Sequence, residues 1–295
     1  MIQDDYLLRA VDHSKQIRIM LASTTGVVQE AQVRHHTSAT ASAALGRVLT
    51  ATLMMGSDLK DQDNIITLRL KGQGPGGAIV ATADNQGRVR GLISYPQADV
   101  PSLYPGKLAV GALVGNDGYL EVIKDLGLKQ PFVGRTRLVS GEIAEDLAHY
   151  FLMSEQIPSL VSLGVLVAPD LSIKAAGGLF VQALPGSSDQ VLQMVENNVL
   201  SMGAISKILE EKDSLESVLK EVMKDIPYEV VGKMPLAFEC NCSHERLKGI
   251  LSGLLDQDIT DLCDDRGEIE VCCNFCNQMY SFKGEELLPQ KSEKP

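Results

Sequence analysis

What this chain lacks narrows it first. No apolar run reaches the roughly 18–20 residues of a membrane-spanning helix. The first residues, Met1-Ile2-Gln3-Asp4-Asp5, are acidic and carry no apolar signal core, so export is not expected. Basic charge is short: 27 Lys and Arg stand against 38 Asp and Glu, for a net charge of −11. The deficit is concentrated at one end. Residues 186–295 hold 11 basic and 21 acidic side chains (11 − 21 = −10), and residues 1–185 hold 16 and 17 (−1). A nucleic-acid module needs clustered Lys and Arg to neutralise phosphates, and the C-terminal part would repel them. Cysteine is absent from the first 239 positions. The expected location is the cytoplasm, where thiols stay reduced and serve metal binding or redox sensing rather than a disulfide framework.

At 295 residues, 44% hydrophobic and 22% charged, the chain has the composition of a globular protein of about two domains. Alternating Ile17, Ile19 and Leu21 predict a half-buried strand at 16–22. Thr24 or Thr25 can cap a helix running to about His35. Ser38 or Thr40 can start an Ala-rich helix at 41–55, closed by Gly56, whose small side chains imply close packing. Segments 65–70, 78–83, 88–94, 108–113 and 119–123 read as a β-meander divided by turns. The glycine-rich loop at 72–77 lacks the Lys-Ser/Thr of a P-loop and joins two strands, so it reads as a wide hairpin.

Ser140-Gly141-Glu142 opens a further helix with Ile143, Leu147, Tyr150 and Phe151 on one face. Strands follow at 161–167 and 172–183, turned at Pro169-Asp170. Runs of strands with helices between them, without a repeating βαβ unit, make the fold class α+β. A mainly antiparallel β-sheet domain with packed helices is expected at 1–186, a helical linker at 187–235 and a small cysteine-bearing domain at 236–289. In the linker, Leu215, Val218, Leu219, Val222 and Met223 form an apolar stripe. A helix that short is marginal in water, so the linker should be ordered only while docked. In the last domain, Ser243 can cap a helix striped by Leu247, Ile250, Leu251, Leu254 and Leu255. A hairpin of 269–276 with 279–282 then carries a CxxC at its tip, and the tail at 289–295 should fray.

All six cysteines fall within residues 240–276. Cys240 and Cys242 form a CxC; Cys273 and Cys276 form a CxxC, 30 residues further on (273 − 242 − 1). Two such knuckles are how a chain builds a closed tetrahedral thiolate site for zinc. With four thiolates bound no position stays open for substrate, so metal catalysis is not expected. His244 offers an alternative ligand. Cys263 and Cys272 read as small buried residues or auxiliary thiols, and Cys272 should point away from Cys273 if both lie on a strand. A module of about fifty residues is too small to stabilise itself comfortably by its core, whereas structural zinc supplies about 10–16 kcal/mol. Oxidation of near neighbours would leave the two knuckles unlinked.

These residues, together with others along the chain, carry a resemblance. Cys240-Asn241-Cys242-Ser243-His244-Glu245-Arg246 and Cys273-Asn274-Phe275-Cys276-Asn277 resemble the switch motifs of the 33 kDa chaperonin family of redox-regulated holdases. Supporting blocks are Thr40-Ala41-Ser42-Ala43-Ala44-Leu45-Gly46-Arg47, Lys124-Asp125-Leu126-Gly127-Leu128, Ser154-Glu155-Gln156-Ile157-Pro158-Ser159 and Ala175-Ala176-Gly177-Gly178. The resemblance implies an ATP-independent cytoplasmic chaperone, not an enzyme, inactive while reduced with one Zn2+ per chain on Cys240, Cys242, Cys273 and Cys276. It implies redox disulfides Cys240–Cys242 and Cys273–Cys276, zinc release, unfolding of switch and linker, and dimers on oxidation. Unfolding client proteins would be held until cellular thiol reductants act, with neither nucleic acid nor membrane as partner. Cys263 and Cys272 depart from the four-cysteine pattern, and six thiols allow 15 full pairings. The competing readings are a thiol–disulfide oxidoreductase using the CxxC and a nucleic-acid-binding zinc ribbon.

Overall fold

An Ala-rich helix buried on nearly every side organises the larger part of the molecule. The computed structural model describes residues 2, 4–102 and 106–288; the expectation for the tail at 289–295 lies outside them. Two units emerge, Met1–Glu239 and Cys240–Pro295. The first runs β1 (Tyr6–Asp12), β2 (Ile17–Ser23), α1 (Thr25–His35), α2 (Ala39–Gly56), β3 (Ile65–Lys71), β4 (Ala78–Ala83), β5 (Arg88–Ile93), α3 (Val110–Val114), β6 (Tyr119–Asp125) and β7 (Phe132–Arg137). It continues with α4 (Ala144–Tyr150), a π-helical turn (Phe151–Glu155), β8 (Ser159–Val167), β9 (Ile173–Ala183), α5 (Asp189–Met202), α6 (Ile205–Glu211), α7 (Leu215–Val222), β10 (Tyr228–Pro235) and β11 (Ala237–Phe238). The second unit contains α8 (His244–Leu251), α9 (Asp256–Leu262), β12 (Glu268–Cys272), β13 (Met279–Lys283) and α10 (Gly284–Leu287). The α+β class holds.

Helix α2 touches β3, β4 and β5 of a six-stranded sheet, ordered β11-β5-β4-β3-β6-β7, and β2, β8 and β9 of a five-stranded sheet, ordered β10-β1-β2-β9-β8. Small side chains let both sheets approach; a Cβ on Gly46 would lie 2.7 Å from Val28 Cγ1 and 2.8 Å from Val165 Cγ2. Ser38 caps the helix by accepting from the Ala41 N–H, which satisfies one of the first-turn donors.

The five-stranded sheet differs from the expected half-buried one. Met20, Ala22, Ala176 and Phe180 face the α2 core, while Ile17, Ile19, Leu21, Ala175, Leu179 and Val181 face a second core closed by α5, α6 and α7. Both faces of β2 are therefore buried. Period-2 alternation signals one wet face only when nothing docks on the other. The stripe Leu215, Val218, Leu219, Val222 and Met223 is buried against this outer face.

Other expectations are corrected. Residues 108–113 do not form a strand. Val110–Val114 is a helical turn whose Leu113 and Val114 carbonyls accept from Gly76 N and Gly74 N. The glycines at 72 and 74 permit that approach, since a Cβ there would meet Val114 O and Leu113 O at 2.1 and 2.2 Å. The 72–77 loop joins antiparallel β3 and β4, as a hairpin. Helix α4 begins at Ala144, past the expected opening at Ser140-Gly141-Glu142, because buried Asp146 gathers the N–H groups of Val139, Ser140, Gly141 and Ile143 into a loop. Strands β1, β7, β10 and β11 were not foreseen. The 187–235 segment is helical only to Val222; its end, β10, pairs antiparallel with β1, and β11 pairs parallel with β5.

One contact at the start of α1 yields a pH dependence. Asp5 Oδ2 accepts from Val27 N at 2.6 Å. Burial outweighs the bonds from Val27, Gly26 and Thr25 and raises the Asp5 pKa from 3.8 to about 6. The folded chain thus holds this proton more tightly than the unfolded one. Stability falls as pH rises through the window from about 4 to 6, by about 3 kcal/mol in total, and stays lowered above it. Asp5→Asn keeps an acceptor and removes the titration. The urea midpoint of the first unit is expected to drop less between pH 4.5 and 7 in the variant than in the wild type; equal drops would refute the assignment.

Candidate metal and redox centre

The second unit has little apolar material with which to hold itself together. Its core is Ile259, Ile269, Phe282 and Leu287, with half-buried Leu247, Leu251, Val271 and Tyr280 around it. Ser243 caps α8 through the Arg246 N–H at 3.1 Å. Leu247 and Leu251 pack inward, whereas Ile250 of the expected stripe is exposed within α8, and Leu254 and Leu255 are exposed beyond its end at Leu251. Strands β12 and β13 form a hairpin whose last pair is Cys272 with Met279. The strand ends at Cys272, four residues short of the expected Cys276, so Cys273 opens the loop. There Cys273 O accepts from Cys276 N at 3.2 Å and Asn277 N at 2.7 Å, and Asn277 takes a left-handed φ of 59°. This turn swings Cys276 back beside Cys273.

All six cysteines are free thiols. Cys240, Cys242, Cys273 and Cys276 bring their Sγ atoms within 4.8 Å of one another. Contacts across the knuckles are 3.8 Å for Cys240–Cys273 and 3.3 Å for Cys242–Cys276. Zn–S bonds of about 2.3 Å in a tetrahedron place sulfurs about 3.8 Å apart, so the four residues fit zinc. His244 stands outside the group; its ring stacks on Phe282 at 4.3 Å and its Nε2 lies 3.3 Å from Ser281 O. Cys263 packs in the small core, with its Sγ 3.2 Å from Ile259 O. Cys272 is exposed and contacts Asn277 Oδ1 at 3.2 Å. The Cys272 side chain therefore leaves the cluster, at the point where the strand ends and Cys273 opens the loop.

Electrostatics differentiate the four thiols. Burial pushes Cys276 well above the ordinary thiol range and raises Cys240 as well. For Cys242 burial is outweighed by hydrogen bonds, the one from the Tyr280 hydroxyl foremost, and its pKa falls to about 7. Tyr280, bonded to Cys242 Sγ at 3.2 Å, is itself pushed up to about 12. A bound divalent cation would supply the positive charge that four adjacent thiolates need. Tyr280 is the member of this site that sequence reasoning missed. An aromatic four positions past a CxxC carries no motif signal, and only the register of β13 brings it over Cys242.

Comparison with known proteins agrees with this geometry. Residues 5–283 match the family model described as Hsp33 protein. The 33 kDa chaperonin of Desulforamulus reducens is 46% identical over 283 residues, covering 96% of both chains. That of Bacillus pumilus is 44% identical over 289 residues, covering 98% of this chain and 99% of its own. Among solved structures, the 33 kDa chaperonin (heat shock protein 33 homolog) from Thermotoga maritima superposes with a TM-score of 0.87 at 36% identity, covering 97% of each chain.

Metal loading tests the donor set. The reduced protein is expected to bind one zinc ion per chain, and Cys240→Ser or Cys276→Ser to lose it on dialysis against a mild chelator. Cys263→Ser and Cys272→Ser should retain full stoichiometry by native mass spectrometry. Chelation should collapse the dispersed methyl signals of residues 240–288 and leave those of the α2 core in place. Retention of zinc by Cys276→Ser would overturn the assignment.

Proposed function

The chain belongs to the Hsp33 family, and from that premise we propose that it is a redox-regulated, ATP-independent holdase that prevents aggregation of unfolding proteins in the cytoplasm. The observation that carries the reading is the convergence of four thiols, from knuckles 30 residues apart, within 4.8 Å of one another. In the reduced state Cys240, Cys242, Cys273 and Cys276 would hold one Zn2+. Oxidation forms Cys240–Cys242 and Cys273–Cys276. In each pair one peroxide accepts two electrons from the two thiolates and two protons from solvent and leaves as two waters. The four thiolates are then consumed, and neither disulfide joins one knuckle to the other. Residues 236–289 lose their fold, and residues 187–235 act as the connector, whose helices α5–α7 are released with it under heat while β10 stays in the sheet.

The packing of α5–α7 supports such a release. Fully burying Leu215, Val218, Leu219 and Val222 contributes roughly 6–12 kcal/mol, and fixing the eight-residue backbone of α7 costs about 8–16 kcal/mol. Docking of α7 is near balance without its neighbours. Its start is pinned by Tyr6, whose hydroxyl donates to Glu216 Oε2 at 2.7 Å and accepts from Leu215 N at 2.8 Å. Release uncovers Ile17, Ile19, Leu21, Leu179 and Val181 on the sheet, an apolar face of the kind that captures unfolding chains or a second copy. Cellular thiol reductants would reverse the switch.

A thiol–disulfide oxidoreductase is the second reading, favoured by the lowered pKa of Cys242. It is weakened by the position of the CxxC in a hairpin loop rather than at a helix N-terminus, where attacking thiols are activated. Neither membrane nor nucleic acid is proposed as a partner. No helix among the described residues is long and apolar enough to cross a membrane.

Peroxide with mild heat is expected to release zinc, form the two local disulfides by peptide mapping, and suppress aggregation of a thermally unfolding test protein at near-stoichiometric ratio. Insulin reduction should show no turnover. Oxidised protein that loses zinc yet cannot hold clients would sink the proposal. Tyr6→Phe orphans the Leu215 N–H, at a cost of about 1–3 kcal/mol. The α7 amides should then exchange roughly tenfold faster and activation should need milder heat; unchanged exchange would refute the pinning role.

A further inference from the structure

A cavity of about 490 Å³ in the first unit carries a charge pattern opposite in sign to that of the chain as a whole. Arg47 of α2, Lys107 and Lys207 of α6 line it, with the hydroxyl-bearing Ser162 of β8 and Ser206 of α6, and no Asp or Glu is among its lining residues. In a chain whose acids outnumber its bases 38 to 27, a wall with three cations and no acid is a local reversal. One carboxylate nearby serves two of the cations. Glu142 Oε2 accepts from Arg47 Nη1 at 2.8 Å, and Glu142 Oε1 lies 3.4 Å from Lys107 Nζ. Lys207 has no ion-pair partner among the described residues. The balance of these four groups is positive.

A second observation points the same way. Arg47 Nε is buried and has no acceptor, and a buried donor left unpaired calls for a water or an ion that satisfies it. Guanidinium, ammonium and hydroxyl donors converging on one cavity match the oxygens of a phosphate group, which takes charge-assisted hydrogen bonds from several sides. Apolar β8 residues such as Val165 and Val167 also line it, which keeps the site partly dry and strengthens the charges.

The position of the cavity matters as much as its chemistry. Arg47, Lys107 and Ser162 belong to the core, whereas Ser206 and Lys207 belong to the first turn of α6, within the connector. The turn sits directly on Gly164, where a Cβ would lie 2.9 Å from Ser206 N. We propose that this cavity binds a phosphate group, free or carried on a small metabolite, and that the bound anion ties α6 to the core. Undocking of the connector divides the donor set in two, so the ligand binds the docked form and opposes release. The linkage to chaperone activation rests on the function proposed above; the binding itself does not.

Calorimetry on the reduced, zinc-loaded full chain tests both parts, with inorganic pyrophosphate and adenosine diphosphate titrated at constant ionic strength in chloride. One site with a Kd below about 1 mM is expected. Comparable affinities identify the free anion as sufficient, and a tenfold preference for the nucleotide identifies a carried phosphate. Lys107→Ala with Lys207→Ala should weaken binding at least tenfold, and Lys174→Ala, an exposed lysine on β9, should leave it unchanged. Should the double variant fail to fold by circular dichroism and zinc content, Lys207→Gln carries the comparison. Absence of binding by either probe, or equal weakening by Lys174→Ala, overturns the site. Ligand at a hundred times its Kd should slow amide exchange in Ile205–Glu211 about a hundredfold, and unchanged exchange at saturation overturns the linkage. Loss of holdase activity with phosphate binding intact would count against the proposed function alone.

Discussion

The five-stranded sheet is apolar on both faces, and that constraint shapes the rest of the first unit. An α2 rich in Ala, Gly, Ser and Thr closes one face permanently, since nothing short of global unfolding removes a helix buried between two sheets. The other face, with Ile17, Ile19, Leu21, Leu179 and Val181, is closed by α5–α7, three short helices of 14, 7 and 8 residues. Short helices of this kind owe their order to docking rather than to intrinsic propensity. One sheet therefore carries a fixed interior on one face and a cover of short docked helices on the other. The last strand of the same stretch, β10, is paired along the whole of β1, so the cover is flanked by sheet on both sides in sequence. Undocking it exposes surface without dismantling the sheet.

The second unit inverts this balance. Its four fully buried apolar residues could not order some fifty positions on their own, and its best-placed cluster is of sulfur rather than carbon. Metal-bound, such a cluster would do the work of a core; oxidised, it would not. The acidic charge of residues 186–295, a disadvantage for binding nucleic acid, keeps an unfolded switch solvated. Within this region Tyr280 holds the one thiol whose pKa falls toward neutrality, so the thiol pair that meets an oxidant first need not be the most exposed one.

The readable parts of the fold were those where local chemistry and tertiary environment agree. Ser38 and Ser243 cap helices as their positions suggest, the hairpins at 72–77 and 273–278 follow turn chemistry, and the stripe on α7 is buried residue for residue. The misses have a common cause. Strands β1 and β10 are decided by their pairing with each other across more than 200 positions, as the Leu7↔Met234 register shows, and nothing local announces that. Helix α3 forms because two neighbouring glycines let its carbonyls be capped from outside, an event that propensity cannot see. At the candidate metal centre the four clustered thiols are legible because their spacing is a chemical requirement of such a site. Tyr280 is not, because it arrives through strand register, and Cys272 and Cys273 part company because the strand ends between them.

The arrangement of the four thiols also explains why the choice of disulfide partners matters more than the fact of oxidation. Two sulfur–sulfur contacts join opposite knuckles, Cys240 with Cys273 at 3.8 Å and Cys242 with Cys276 at 3.3 Å, separated by 33 and 34 positions. Bonds between them would close loops worth about 4 kcal/mol of unfolded-state entropy and would keep the two ends of the unit tied. Bonds within the CxC and CxxC close loops worth under about 2 kcal/mol, add strain to the shorter ring, and leave the ends free. Against the about 10–16 kcal/mol that a structural zinc can provide, either outcome weakens the unit, but only the local one removes its long-range link. A switch built on these residues therefore depends on kinetics as well as geometry. Local partners are tethered by one or two intervening residues and stay in reach as the site loosens, while cross-knuckle partners separate once the first local bond forms.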